Sequence, residues 1–306
     1  MPFIQFWLSR LYRAPYVLIL FAPLFWAGNI VLGRGIYQLI PPVSLAFWRW
    51  VVALIILLPF SWSHVRKDWP TIRRHWKILL LLAFLGVTCF NTMLYRAVHT
   101  TTAINGSLIQ SSMPAWIVLF SLLLFRERIS RIQTLGMILC ILGAFNIVVH
   151  GDWLTISRII IVKGDIWMIV AVALYACYSA LMRKRPMMTG LGFLTATFAM
   201  GCFLLFPLYL WELSVSELPA VRFNWQIGAS ILYVAVFPSI LAYLCWNRGI
   251  ELIGANRTGL YINFIPIFAS ILAVILLHER LFAFHFIGIS MIIGGMIIFN
   301  RMHPQI

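Results

Sequence analysis

Residues 114–130, PAWIVLFSLLLFRERIS, and residues 266–282, PIFASILAVILLHERLF, are two versions of one text. Each begins with proline, runs through an apolar stretch and closes on a Glu-Arg pair. Pro114 returns as Pro266, Glu127-Arg128 as Glu279-Arg280, Gly136 as Gly288 and Gly143 as Gly295, all at the same offset (266 − 114 = 152). The correspondence runs from residues 77–150 to residues 229–302. A repeat this regular limits the fold more than composition can. Both copies are strongly apolar, and duplicated membrane segments are how many secondary transporters are built.

The composition agrees with a membrane setting. Of 306 residues, 62% are hydrophobic and 10% charged, with a mean hydropathy of +0.96. A soluble domain carries about a quarter charged residues, so this chain could not cover a water-facing surface. Ten apolar runs are read as spans: 15–33, 43–60, 77–96, 103–125, 131–149, 165–183, 190–211, 227–247, 255–277 and 283–300. The 152-residue offset carries the fourth span onto the ninth, so each copy holds five spans. An odd number inverts the second copy relative to the first. The expected fold is therefore an all-α integral membrane protein, ten transmembrane helices arranged as two inverted five-helix repeats, 15–149 and 165–300. Inverted repeats place a binding site near the midplane, where the halves meet.

The formal charge of +15 suggests nucleic acid, but its placement does not. With the N-terminus inside, 16 of the 23 basic residues fall on cytoplasmic segments and 6 outside, with Arg49 left within a span. That ratio follows the positive-inside rule and puts both termini in the cytoplasm. No basic patch exceeds a short loop, so nucleic acid is not an expected partner. The expected setting is a multi-pass protein of the cytoplasmic (inner) membrane. The five cysteines, Cys89, Cys140, Cys177, Cys202 and Cys245, lie inside spans without CxxC spacing, so neither disulfides nor a metal site is expected. The segment 61–76, with Trp62, Trp69 and Trp76 seven apart among cations, reads as a short amphipathic piece on the inner leaflet.

At this point the chain resembles the drug/metabolite transporter superfamily, EamA-type. The resemblance rests on the ten spans in two halves and on Pro114 followed by FRERIS, again Pro266 with HERLF, and it covers roughly residues 15 to 300. One departure is His278 where the first copy has Arg126. The resemblance implies a central cavity lined by spans 1, 3, 4, 6, 8 and 9, alternating access between the halves, and export. It does not fix the substrate, because that family moves amino acids, sugars, nucleotide precursors and drugs.

Polar side chains inside spans are costly unless they face the bundle interior, so they are the candidate site residues. Asn91 and Tyr95 share a face of span 3, and their partners in span 8 are Tyr243 and Asn247, the same two types exchanged. Amides and phenols offer donors and acceptors to a zwitterion or hydroxylated ligand; interhelical hydrogen bonding is the competing reading. Trp26 and Asn29 of span 1 correspond to Tyr175 and Tyr178 of span 6 at an offset of 149 (175 − 26 = 149), and could sandwich an apolar body. Pro114 frees the carbonyl of Gln110 and Pro266 that of Ile262, with Ser111 and Asn263 three residues before each proline. Tyr261 and Asn256 add polarity to span 9, as do Asn105 and Ser107 to span 4.

Arg49, about six residues or roughly 9 Å from its span's outer end, either snorkels outward, rests on Trp48 or Trp50, or draws a substrate carboxylate or phosphate into an outer vestibule. Arg96 and Arg248 are repeat partners at opposite mouths, and with Arg49, Pro114 and Pro266 they form the gating set. The Glu127-Arg128 and Glu279-Arg280 pairs read as structural, each lying between two helices. All eight acids read as loop or span-end residues and no histidine is clearly mid-span. A facilitator, an exchanger or coupling through a mouth residue such as Asp165 is expected.

The expected function is secondary transport of a small metabolite, an amino-acid-like molecule or neutral amphiphile, with no catalytic residue, metal or cofactor. A membrane-embedded enzyme on a lipid-linked substrate and a non-transporting scaffold are the alternatives. The partners expected are the small-molecule substrate and the bilayer, with a homodimer left open.

Overall fold

The computed structural model describes residues 14–36, 38–100, 109–110, 112–126, 130–148, 163–215, 224–277 and 283–301; among these there is helix and no strand. In lipid a backbone has only itself to bond, and the helix is the local solution. The helices are α1 (Pro15–Ile36), α2 (Pro42–Arg74), α3 (Trp76–Thr100), α4 (Met113–Phe125), α5 (Arg131–Val148), α6 (Lys163–Leu181), α7 (Gly190–Val215), α8 (Trp225–Ile253), α9 (255–277) and α10 (Ala283–Arg301). By length and composition α1, α2, α3, α6, α7 and α8 can cross a membrane. Trp116–Phe125, Arg131–Gly143 and Phe286–Phe299 are shorter apolar helices.

Segment 61–76 is not a separate surface piece. Helix α2 continues into it as far as Arg74 and is 33 residues long, roughly 50 Å at the helical rise against a hydrocarbon core of about 30 Å. No glycine interrupts 42–74. Trp62 and Trp69 remain exposed on this extension and Trp76 at the start of α3, with Arg66 over the Trp62 ring at 5.5 Å.

The helices pair in a definite pattern. Helix α5 packs on α10, α2 on α7, α3 on α6, α8 on α1, α4 on α6 and α9 on α1. The α5–α10 contact is backbone to backbone. A Cβ at Gly136 would lie 2.7 Å from the Gly295 carbonyl oxygen, and one at Gly143 2.7 Å from that of Gly288. Only glycine permits this approach, which lets dispersion act between helices that gain nothing from leaving lipid. Because 136 faces 295 and 143 faces 288, the two helices run antiparallel. Between the glycines the Cys140 thiol donates to the Ile292 carbonyl at 3.4 Å.

Two acids expected at loops or span ends are instead built into helices and buried. Glu212, in α7, accepts from the N–H groups of Val43 and Ser44 at 2.9 and 2.6 Å and from the Ser44 hydroxyl at 2.8 Å, capping the start of α2. Asp68, in α2, accepts from the Thr189 N–H at 2.9 Å and its hydroxyl at 2.6 Å, at the start of α7. Each helix carries near its end the carboxylate that meets the orphan donors and positive dipole at the start of the other. Helices α2 and α7 are therefore also antiparallel, tied at both ends.

Helices α3 and α8 each widen into one π-helical turn, Phe84–Cys89 and Val236–Leu241. The turns fall at equivalent places in the two copies (84 + 152 = 236; 89 + 152 = 241). In α8 the cause is Pro238, which lacks the N–H that the Val234 carbonyl would take. The Ser239 hydroxyl supplies it instead, at 2.6 Å. In α3 the Asn91 amide holds the widened turn, donating to the carbonyls of Gly86 at 3.3 Å and Val87 at 3.1 Å. Such turns recur where function needs an exposed backbone group.

Replacing Glu212 by Ala strips three hydrogen bonds from the start of α2 and lowers stability by about 1–2 kcal/mol, and Asp68→Ala has a similar effect at α7. The two changes, at opposite ends of the helix pair, add in the double variant. Thermal melting in detergent, followed by fluorescence-detected size exclusion, checks this; an unshifted midpoint for either variant contradicts the capping role.

Candidate functional site

The two π-helical turns deliver carbonyls to the middle of the bundle, and the candidate polar residues gather on them. The Pro238 carbonyl accepts from Trp26 Nε1 at 3.1 Å and from Arg49 Nη2 at 3.0 Å. Its counterpart, the Gly86 carbonyl (86 + 152 = 238), accepts the Tyr243 hydroxyl as well as the Asn91 amide. Gly86 also makes room for Tyr178, whose ring carbon would stand 2.7 Å from a Cβ there. The Asn91 side chain thus serves the backbone of its own helix, where the structural alternative was a bond between helices.

Around these turns lies a buried aromatic cluster. Trp26 meets Tyr175 edge-on at 5.7 Å between centroids and Trp246 at 5.1 Å. Tyr175 lies 5.2 Å from Tyr178, and Tyr243 stands 6.2 Å from Tyr178 and 5.4 Å from Trp50. Phe90 and Phe198 close the group against Tyr175 and Trp50, each at 4.5 Å. The edge-on geometry is the one the ring quadrupoles prefer.

Two phenol–amide bonds flank the cluster. The Tyr95 hydroxyl donates to Asn29 Oδ1 at 2.9 Å, and the Tyr178 hydroxyl donates to Asn247 Oδ1 at 2.8 Å. Tyr95 corresponds to Asn247 (95 + 152 = 247) and Asn29 to Tyr178 (29 + 149 = 178). The same bond is therefore made twice with donor and acceptor exchanged.

Arg49 joins only the first of these bonds. It is 1% exposed, so of the alternatives it does not snorkel outward but rests on Trp50. Its Nη1 donates to the Tyr95 hydroxyl at 2.9 Å and to Asn29 Oδ1 at 3.5 Å, and its Nε donates to the Ser239 hydroxyl at 2.5 Å. Its guanidinium carbon sits 4.8 Å from the Trp50 ring centroid. Among the described residues no carboxylate pairs with it. A cation at the centre of a membrane helix costs about 2.5–3.5 kcal/mol on the insertion scale, and neutral acceptors offset this less fully than an acid would.

The remaining candidates lie elsewhere. Tyr261 stacks on Tyr16 and Phe264 at 6.5 and 5.8 Å, in a separate buried cluster with Ile19 and Cys140. Gln110 and Asn263 are buried, with Gln110 Oε1 and both polar atoms of Asn263 lacking a described partner. Pro114 does not kink a continuous helix but stands at the start of α4, and before Pro266 the chain makes the 3-10 turn Tyr261–Asn263. Arg96 is exposed, 5.7 Å over Trp167. Arg248 pairs with Glu251 at 2.9 Å, and Glu251 also binds Arg185. Ser111, Asn105, Ser107 and both Glu-Arg pairs lie outside the described residues, as does the Asp165 side chain. The sequence reading singles out neither Ser239 nor Trp246, and names Trp50 only as a rest for Arg49. Pro238, a proline inside a span, was the available signal for the first of them.

Comparison with known proteins agrees with this architecture. The EamA-like transporter family matches residues 13–149 and again residues 162–301. The uncharacterized transporter YetK of Bacillus subtilis is 27% identical over 287 residues, 92% of this chain and 86% of that protein. An uncharacterized transporter of Archaeoglobus fulgidus is 28% identical over 291 residues, 95% of this chain and 98% of that one. A solved crystal structure shares the fold with a TM-score of 0.72, covering 94% of this chain and 97% of its own at 15% identity.

The two phenol–amide bonds differ in one respect that can be measured. Tyr95→Phe removes a partner of a buried cation, where hydrogen bonds contribute about 1.5–3 kcal/mol, whereas Tyr178→Phe removes a neutral bond of about 0.5–1.5 kcal/mol. Tyr95→Phe is expected to lower the melting temperature more; equal shifts would mean that Arg49 does not depend on Tyr95.

Proposed function

The chain belongs to the EamA-like transporter family, and on that premise we propose that it is a secondary transporter working by alternating access. It is a multi-pass membrane transporter rather than an enzyme. In the proposed mechanism two inverted five-helix halves, 15–149 and 165–300, rock about the aromatic cluster. They carry a small amino-acid-like amphiphile across the cytoplasmic membrane, in the export direction. Both termini lie in the cytoplasm, the side that the basic residues favour.

The observation that carries this reading is the phenol–amide bond made twice with its roles exchanged, Tyr95 to Asn29 and Tyr178 to Asn247. Two copies of one structure facing each other across a site produce such a pair. The helix pairing supports it: adding one repeat turns the α3–α6 contact into α8–α1 and the α4–α6 contact into α9–α1, while α2–α7 and α5–α10 map onto themselves. Those last two pairs are antiparallel, as equivalent helices of inverted halves must be. Two near-equal halves can exchange conformations, and that exchange opens the site alternately to each face. The aromatic walls suit an apolar body, and Asn247 with its uncommitted Nδ2 suits a polar head.

Cells overproducing the intact chain, cells with Asn247→Ala at equal membrane abundance and cells without either provide the test, with released metabolites compared without prior selection. The intact chain is expected to enrich a compound class at least about tenfold over Asn247→Ala, the factor that loss of roughly 1.4 kcal/mol of binding produces. Three identical profiles would overturn the export reading.

A further inference from the structure

Arg49 is more than the fold requires. The Tyr178–Asn247 bond stands in the second half without any cation on it, at the same length as its counterpart within 0.1 Å (2.9 − 2.8 = 0.1). Helix α7, which matches α2, has no basic residue at all. The half-site is therefore stable without a guanidinium, and what Arg49 adds is a charge.

The buried polar atoms of the aromatic cluster lean the same way. Among the described residues, Trp50 Nε1, beside Arg49, and Trp246 Nε1, Asn247 Nδ2 and the Tyr175 hydroxyl are buried without a hydrogen-bond partner. The first three are donors only, and the phenol can donate as well. The acceptors nearby are committed: Pro238 O to Trp26 and Arg49, Gly86 O to Tyr243 and Asn91, Asn29 Oδ1 to Tyr95 and Arg49. Spare donors in the cluster beside a cation with no carboxylate among the described residues are complementary to a ligand head that only accepts. An ionised carboxylate is such a head, with two oxygens that a guanidinium fork can grip together.

We infer that Arg49 anchors the carboxylate of a monoanionic amphiphile whose apolar body lies among Trp26, Tyr175 and Tyr243, and that the carboxylate takes the place of Ser239 and Pro238 on the guanidinium. The inference rests on the transport reading for its setting and narrows the substrate class from amino-acid-like or neutral amphiphiles to carboxylates. It also supplies a link between binding and movement. Arg49 on α2 now holds the π-helical turn of α8, a charged tie between the two halves beside those from Trp26 to Pro238 and from Tyr243 to Gly86. Substrate that captures the guanidinium releases that tie, the one among them made by a cation that has no counterpart in α7. One guanidinium balances one negative charge, which selects against polyanions.

The test measures binding to the purified full-length protein by tryptophan fluorescence. The probes are three carboxylates, 3-phenylpropionate, indole-3-propionate and hexanoate, each compared with its primary amide. At least one carboxylate is expected to bind about tenfold or more tightly than its amide. Arg49→Gln abolishes that preference, and Arg49→Lys keeps only part of it, because it retains the charge without the fork. Ser239→Ala removes one competing acceptor and leaves the cation, so it widens the carboxylate-over-amide preference relative to the intact chain. This variant carries the test if Arg49→Gln does not run as a single species on size exclusion. Amides binding as well as carboxylates, no carboxylate binding, or a preference that survives Arg49→Gln would overturn the anchor. Flux in proteoliposomes separates the two readings. Carboxylate-selective binding without flux leaves the anchor and removes the transport reading, whereas flux of amides and carboxylates alike leaves transport and removes the anchor.

Discussion

Inside a bilayer every backbone hydrogen-bonding group has to be satisfied by the protein itself, and this constraint organises the molecule. Regular helix meets it with no help from side chains. The described helices depart from regularity at a few places, and each departure leaves carbonyls or amides that something else must satisfy. At the π-helical turns of α3 and α8 that something is Asn91, Tyr243, Ser239, Trp26 and Arg49. The site is thus assembled by the demands of two irregular turns. Its aromatic rings fill the space between them, and its polar atoms are the ones those turns call in.

The same constraint acts at the helix ends. Glu212 and Asp68 meet the orphan donors at the starts of α2 and α7, each from within the other helix. With the glycine contact of α5 on α10, these ties hold equivalent helices together in opposite directions. In the proposed mechanism such contacts carry no directional preference, because exchanging the halves reproduces them. Arg49 breaks that balance. It has no basic counterpart in α7, and its bonds reach across from α2 to α8, so it distinguishes one state of the exchange from the other.

Much of this was legible in the sequence, for a physical reason. Pro114 with Pro266 and Gly136 with Gly288 mark backbone requirements that survive divergence of the apolar residues around them, so the repeat could be read directly. The exchange of Asn91-Tyr95 for Tyr243-Asn247 named two residues that bond the irregular turn of α3, Asn91 and Tyr243, and one member of each phenol–amide bond, Tyr95 and Asn247. The inward turn of Arg49 was not legible, because snorkelling and burial leave the same letter in the same span. Nor was the length of α2, whose polar continuation past Phe60 looks like a loop until Asp68 is seen bonded to Thr189. Trp50 and Trp246 were hidden among 13 tryptophans, most of which fit equally well against lipid. Tyr261 shows the opposite failure, a polar residue in the right span that belongs to another cluster.

The central claim is that the halves are one structure inverted, and the connections beside Gln38 and Met187 test it most directly. The two residues correspond (38 + 149 = 187), both are exposed, and Met187 is 95% so. Single cysteines at these positions, in a background lacking the five native ones, would be labelled in intact cells with a membrane-impermeant maleimide. With inverted halves, Gln38→Cys is labelled from outside and Met187→Cys reacts only after the membrane is opened. Labelling of both from the same face would contradict it.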